Sequence, residues 1–426
     1  MTGWPRFDFT SSYPYVMVSE KFPMSKATLI KSFESTEQFE YYLTHNCCLF
    51  DIKLSNVTPK VDFEHPISSS KLIEYEGVVK DNGRVIFAES LTMTVTEQDF
   101  FVIQEFYNFD LEGVYNFRIY EKGYLPTAFV KAILKLYKDK TELKDIAEEI
   151  VNYMISKNMI NAAYGMIVTD IVREIIEYQD GEFQSTKPDL KEAIKKYNES
   201  VKRFLYYPWG VWVTSYARAN LFSGILACGN DYIYSDTDSI KIVNYESHMD
   251  YIERYNKVVM EKLQMAAEFH KIDVEEFSPL NRKGKPKPLG VWDFEGVFER
   301  FKTVGAKRYM FERYDKDVDD DHPKWNLTVA GVNKKKAMEY ILKTYADPFD
   351  GLEEGLVVPG EYSGRLLLDY CKDEPCSGEV KDYLGEWGEF SELSYIHMEP
   401  TTYELTYSMD YKAYTDMLLG IKEDSW

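Results

Sequence analysis

Asp8, Asp236 and Asp238 are the residues whose type and spacing could do chemistry. Asp8 sits in a short apolar, strand-like run at residues 6–9 that leads straight into DFTSSYP. Asp236 and Asp238 occupy the polar tip of DYIYSDTDSIKIV, which reads as two short apolar strands joined in a β-hairpin. Carboxylates on rigid strands suit a hard divalent cation such as Mg²⁺, which takes oxygen ligands and keeps positions open for phosphate oxygens. Aspartate also favours turns, so on the hairpin alone the turn reading stands beside the ligand reading. A second constellation lies in KNMINAAYG, where Lys157, Asn161 and Tyr164 follow at i, i+4 and i+7 and share one helix face, and Gly165 removes a side chain beside them. A cation, an amide and a ring on one stripe can bind a triphosphate and stack on a base. The same three residues also suit a solvated helix with one core tyrosine.

These residues need elements to hold them. After Pro126, Phe129, Ile133, Leu136 and Tyr137 recur at helical spacing with Lys131, Lys135 and Lys138 between them. A polar break near residues 139–141 precedes a second periodic segment through Ile146, Ile150, Tyr153 and Met154 into Met159, so an antiparallel helix pair is expected. Another helix is expected over 210–228, stopped by Gly229 and Asn230, and a further one over 247–268. Residues 49–120 read as β-rich, with one helix near 97–109. QDGEFQSTKPDLKEA reads as an insertion or exposed loop, NRKGKPKPLG as a basic loop, and KRYMFERYDKDVDDDHPKWNLTVAG as a hairpin with an acidic turn. The last hundred residues show no firm pattern.

The 426 residues predict two to four compact units, and 45% hydrophobic with 15% aromatic residues excludes a disordered chain. A formal charge of -21 speaks against general affinity for phosphate backbones and against a polybasic membrane anchor. Cys47, Cys48, Cys228, Cys371 and Cys376 form no CxxC pair, so neither a disulfide framework nor a zinc site is expected. No signal peptide and no apolar span long enough for a membrane helix are visible, and a cytoplasmic location is expected.

DFTSSYP, KNMINAAYG and YSDTDS resemble, in order, motifs A, B and C of family B DNA polymerases, whose patterns are DxxSLYP, KxxxNSxYG and YxDTDS. Lys307, Arg308 and Tyr309 resemble the family's KxY motif, and Thr214, Ala217 and Arg218 its T-x-x-(G/A)-R element. PLGVWDFEGVFERFKTVGAKRY is most similar to the protein-primed phage-type branch, and the resemblance spans residues 8–335. Ser12 stands where the family has Leu, and Ala162 where it has Ser; neither change removes a ligand or a charge.

The resemblance implies an α+β right-hand polymerase with an antiparallel-sheet palm, helical-hairpin fingers and a C-terminal thumb. Its expected parts are palm over 1–83 and 206–335, fingers over 127–170 and thumb over 336–426. Residues 84–126 and 171–205 would be insertions similar to the branch's two terminal-protein regions. The implied activity is template-directed DNA synthesis from dNTPs on a primer–template, in viral replication and in the host cytoplasm. Asp8, Asp236 and Asp238 become catalytic, with Asp8, Phe9 and Asp238 holding two Mg²⁺ ions, which Mn²⁺ can replace. Ser12, Tyr13, Lys144, Lys157, Asn161 and Tyr164 become nucleotide-binding, and Tyr13 blocks a 2′-hydroxyl. Ser11, Thr214, Arg218, Thr237, Lys307 and Tyr309 become DNA-binding, with Lys307 and Tyr309 alternating along a strand towards one side.

Motif A begins at residue 8, so the family's 3′–5′ exonuclease domain is expected to be missing and to come from a separately encoded subunit. A terminal protein primer is the other implied partner. A non-catalytic replication subunit and another two-metal palm enzyme, a nucleotide cyclase or a primase, are the alternatives. The charge then becomes a matter of distribution, with positive charge concentrated at 131–144, 282–287, 302–308 and 334–336.

Overall fold

Strand-forming runs from the start, middle and later part of the chain meet in one antiparallel sheet. β1 (Trp4–Phe9), β2 (Tyr232–Asp236), β3 (Ser239–Ile242) and β4 (Trp292–Phe298) lie in the spatial order β2-β3-β1-β4. The two-residue period of β1 sends Phe7 and Phe9 into the core and leaves Arg6 and Asp8 on the opposite face. The computed structural model describes residues 4–179, 182–201, 206–313, 323–370, 376–381, 387–393, 396–407, 409 and 412–414. Cys371 and the expected acidic turn at 314–322 lie outside the described residues.

The chain forms two units: Met1–Thr169 with Phe204–Phe298 and Ser408–Trp426, and Asp170–Arg203 with Glu299–Tyr407. In the first, a larger sheet runs Thr28–Leu29, Tyr107–Tyr120, Cys47–Pro59, Arg84–Thr96, Leu72–Glu76. Alternation in Cys47–Pro59 buries Phe50, Ile52 and Leu54 completely, each worth about 1.5–3 kcal/mol relative to exposure. Residues 84–126 supply the two strands that flank this central one. The helix between them ends at Phe106, earlier than expected, because Tyr107 already pairs with Pro59.

α1 (Ser12–Ser19), α2 (Thr127–Glu142), α3 (Ile150–Ile167), α4 (Tyr207–Cys228) and α5 (Met249–His270) complete this unit. α2 buries Val130, Ile133, Leu134 and Tyr137 and runs past the expected break at 139–141. Thr141 is held within the helix, its hydroxyl donating to the Tyr137 carbonyl at 2.8 Å; the chain turns only at Asp145, with φ 64°. α4 stops as expected at Gly229, whose φ of 53° suits glycine. Cys47, Cys48 and Cys228 are buried free thiols.

In the second unit, QDGEFQSTKPDLKEA corresponds to structure rather than loop. Ile175–Gln179 pairs with Glu182–Thr186, and Asp189 caps the helix Leu190–Glu199 by accepting from the amides of Lys191 and Glu192 at 3.0 and 3.1 Å. Arg300–Thr303, Arg308–Arg313 and Lys324–Val329 form a three-stranded sheet that packs Met310 and Leu327 against Ala337 and Ile341 of the helix Lys334–Thr344. Lys307 precedes the strand and has φ 55°, so it ends a turn; strand alternation therefore does not place it on the side of Tyr309, contrary to expectation. Arg365–Tyr370 pairs with Ile396–Thr401 in the C-terminal stretch that showed no sequence pattern. Among the described residues no helix is long and apolar enough to cross a membrane.

Candidate active site

The register of the four-stranded sheet arranges its charged face in rows. Asp236, Ser239, Asp8 and Asp293 are successive cross-strand partners, and Lys241, Arg6 and Gly296 form the neighbouring row. Cross-strand partners share a face, so three carboxylates line up beside two cations. Asp238 joins them from the hairpin turn: its amide meets the Asp236 carbonyl at 2.6 Å, and its own carbonyl accepts from the Phe9 amide at 2.7 Å. Ser11 (φ 58°) and Thr237 (φ 59°), both expected to touch DNA, hold left-handed conformations that side-chain-bearing residues rarely adopt. The loop after β1 is fixed by Gly290, whose amide donates to the Thr10 carbonyl at 2.8 Å; any side chain there would strike the Tyr15 ring.

Burial, reinforced by Asp8 and Asp236, raises the Asp238 carboxyl to about 6. Burial and then Arg6 lower the Lys241 ammonium to about 8. Arg6 grips Asp8, with Nε donating to Oδ1 at 2.8 Å and Nη2 to Oδ2, and it also reaches Glu295 at 3.2 Å. The β-bulge between Arg6 and Phe7, opposite Gly296 and Phe294, is what frees Glu295 from strand pairing. Lys287 pairs with Asp293.

The helical residues converge on the same region. The Tyr13 and Tyr164 rings lie 4.7 Å apart, so the first and second motifs touch. Lys157 and Asn161 are exposed on α3, and Lys144 lines a cavity of about 630 Å³ together with Asp8, Ser11, Lys140 and Glu295. The Lys140 ammonium donates to the Ser11 hydroxyl at 2.9 Å. Ser12 is buried in α1. Thr214 donates to the Val211 carbonyl at 2.9 Å within its own helix, and Arg218 is committed to Asp99 through two hydrogen bonds of 2.8 and 2.9 Å. Thr214 also hydrogen-bonds Tyr164. Lys307 and Tyr309 belong to the second unit, where the Tyr309 ring lies 5.8 Å from Phe301 and 6.5 Å from Phe311.

Among the described residues no three His, Cys, Asp or Glu side chains form a ready-made metal cluster. The donors nonetheless fit a divalent cation. Asp238 is under electrostatic pressure from two neighbouring carboxylates, and a cation shared by Asp8, Asp238 and the Phe9 carbonyl would relieve it while leaving positions for phosphate oxygens.

Sequence and fold comparisons converge on one group of proteins. The chain is 25% identical over 376 residues to the DNA polymerase of Bacillus phage Nf, covering 85% of this chain and 56% of that protein. It is 24% identical over 386 residues to the DNA polymerase of Bacillus phage phi29, again covering 85% and 56%. The chain is similar to phage DNA polymerases. It spans 56% of the length of these curated relatives, and no family model matches it. The fold is shared with phi29 DNA polymerase complexed with primer–template DNA in its post-translocation binary complex, with TM-score 0.59 and 18% identity over 95% of this chain and 58% of that one. The ternary complex of the same polymerase with primer–template DNA and incoming nucleotide matches with TM-score 0.55.

Sequence reasoning missed Arg6, Lys241, Asp293 and Glu295. A signal was present: Arg6 lies two residues before Asp8, and Lys241 three after Asp238, in runs already read as strands. Asp293 and Glu295 alternate in WDFEG, but only the cross-strand register, which sequence does not carry, aligns Asp293 with Asp8.

Proposed function

We propose that the chain is a template-directed DNA polymerase core, extending a primer 3′-hydroxyl with dNTPs. The observation that carries this reading is the meeting of three motifs in one region: the Phe9 amide on the Asp238 carbonyl at 2.7 Å, and Tyr13 against Tyr164 at 4.7 Å. A scaffold needs neither the crowded carboxylates nor an exposed Lys157 and Asn161 on the helix that carries Tyr164.

In this reading the four-stranded sheet is the palm, α2 and α3 are the fingers, and the chain from residue 336 is the thumb. Asp8, Asp238 and the Phe9 carbonyl, with Asp236 in support, would hold two Mg²⁺ ions, which would supply charge neutralisation and a more acidic primer hydroxyl. Lys144 and Lys157 hold the triphosphate oxygens. Asn161 and Tyr164 line the nascent base pair, and the Tyr13 ring lies under the sugar where a 2′-hydroxyl would collide. The primer oxygen then bonds to the α-phosphorus as the bond to pyrophosphate breaks. Ser11, Thr237, Lys307 and Tyr309 face the primer–template, and Thr214 and Arg218 steady Tyr164 from behind. A terminal protein primer remains the proposed partner, acting with the chain in the host cytoplasm.

Primer extension on a labelled primer–template with Mg²⁺ or Mn²⁺, with and without candidate partner proteins, tests the reading. Template-dependent extension by the chain is expected. Its absence under every condition, with intact folding by circular dichroism, would overturn the proposal.

A further inference from the structure

The basic loop NRKGKPKPLG is not one of the three motifs, yet it borders the cavity that holds Asp8. Its conformation is built in. The Asn281 side-chain carbonyl accepts from the Lys283 and Lys285 amides at 3.0 and 2.9 Å, Asn281 and Lys285 also pair through their backbones at 2.9 Å, and Gly284 makes the turn at φ 71°. The Arg282 guanidinium donates to the Asp145 carbonyl at 2.9 Å, at the turn joining α2 to α3. Arg282, Lys283 and Lys287 therefore line the cavity together with Lys140 and Lys144.

We propose that loop 281–287 is a polyphosphate clamp, in which Arg282 and Lys283 grip the β- and γ-phosphates of a nucleoside triphosphate together with Lys140 and Lys144. This rests on the polymerase reading and adds to that site a wall that its motifs do not contain. Several features favour a polyphosphate over a nucleic-acid backbone. The cations gather around one open cavity of about 630 Å³ rather than along an extended strip, and they share it with carboxylates suited to the cation that accompanies a triphosphate. A loop already ordered by its own hydrogen bonds gives up little entropy on binding. Lys287 is neutralised by Asp293, which leaves Arg282 and Lys283 as the gripping pair. Because Arg282 also holds the turn at Asp145, a bound triphosphate would tie the loop and the helix pair together.

The test uses the full chain and inorganic triphosphate with Mg²⁺ as probe. Calorimetric binding is measured for the wild type, for Arg282→Gln with Lys283→Gln, and for Lys285→Gln, which changes an exposed lysine of the same loop that does not line the cavity. The double variant is expected to bind the probe at least about ten-fold more weakly and to raise KM for dNTP by a similar factor, with primer–template affinity within about two-fold. Lys285→Gln is expected to match the wild type. Unchanged probe affinity in the double variant would overturn the proposal, as would equal losses in the Lys285 variant. Weakened primer–template binding with unchanged KM would assign the loop to the DNA backbone instead. If the wild type extends no primer, the polymerase reading falls, while the probe titration still reports on the clamp.

Discussion

Asp99 and Asp238 are both largely withdrawn from water in the same unit, and their surroundings push them in opposite directions. Burial raises the Asp99 carboxyl, but Arg218 outweighs it, aided by the Ser215 hydroxyl at 2.9 Å, and holds it below its usual range. The Asp99 amide also donates to the hydroxyl of the N-cap Thr96 at 3.2 Å, so this aspartate starts a helix and ends an ion pair. Asp238 has the reverse setting, with burial, Asp8 and Asp236 all raising it. One carboxylate is satisfied and helps hold the fold; the other is under stress that the fold sustains. That difference separates framework from chemistry without appeal to motif.

The largest effect is expected at the stressed site. Asp238→Asn or Asp8→Ala should lower primer extension by at least about 10³-fold, since several kcal/mol of charge stabilisation is lost. Primer–template affinity should stay within a few fold. Asp238→Asn should also stabilise the chain in chelator by about 1–3 kcal/mol, because a carboxyl raised from 3.8 to about 6 is costly to ionise in the folded state. The native chain holds this proton more tightly than the unfolded chain, so wild-type stability falls as pH rises from 3.8 through about 6. Urea melts across that range should show the fall in the wild type and not in the variant. A variant less stable than wild type at pH 7 would erase the contrast with Asp99.

The framework site gives the next effect. Asp99→Asn leaves the Arg218 charge unpaired, and with side chains 20% and 30% exposed the cost is about 2 kcal/mol after solvent screening. The sign is opposite to that of Asp238. A depressed carboxyl stabilises the fold above its unfolded value of 3.8, and that contribution is lost as pH falls through its lower folded value. Urea melts below about pH 4 should therefore show a steeper acid loss in the wild type than in Asp99→Asn.

How far sequence alone reached follows the same division. Local periodicity carried the helices: the apolar spacing after Pro126 marks α2, and Gly229 ends α4 where expected. The hairpin of Asp236 and Asp238 and the strand of Asp8 were equally local. What pairs them was not, because the partners of Asp8 are Ser239 and Asp293, more than two hundred residues away. The same limit hid Asp99 as the partner of Arg218, which resemblance had assigned to DNA. Lys307 was misread for a local reason: a positive φ just before a strand interrupts the two-residue alternation assumed for it. The charge of -21 proved a poor guide, since Lys140, Lys144, Arg282, Lys283 and Lys287 gather around one cavity regardless of the total.

Tyr13 sits on the seam between the two regions and sets the smallest and most discriminating expectation. Its ring meets Tyr164 at 4.7 Å, Tyr164 hydrogen-bonds Thr214, and Arg218 one helical turn on leads to Asp99. Tyr13→Val removes a half-buried ring, so stability should change by about 1 kcal/mol and neither pH limb should move. Discrimination between dNTP and rNTP should nevertheless drop by about ten-fold or more, the scale of a lost steric contact in a pocket, read as the ratio of kcat/KM values. Asp99→Asn provides the counterpart measurement. If Arg218 only steadies the back of Tyr164, the loosened helix should lower overall extension with sugar discrimination intact. Discrimination lost in both variants would mean that the Tyr13 ring is aimed by the Asp99–Arg218 pair, and that framework and chemistry are one network here rather than two.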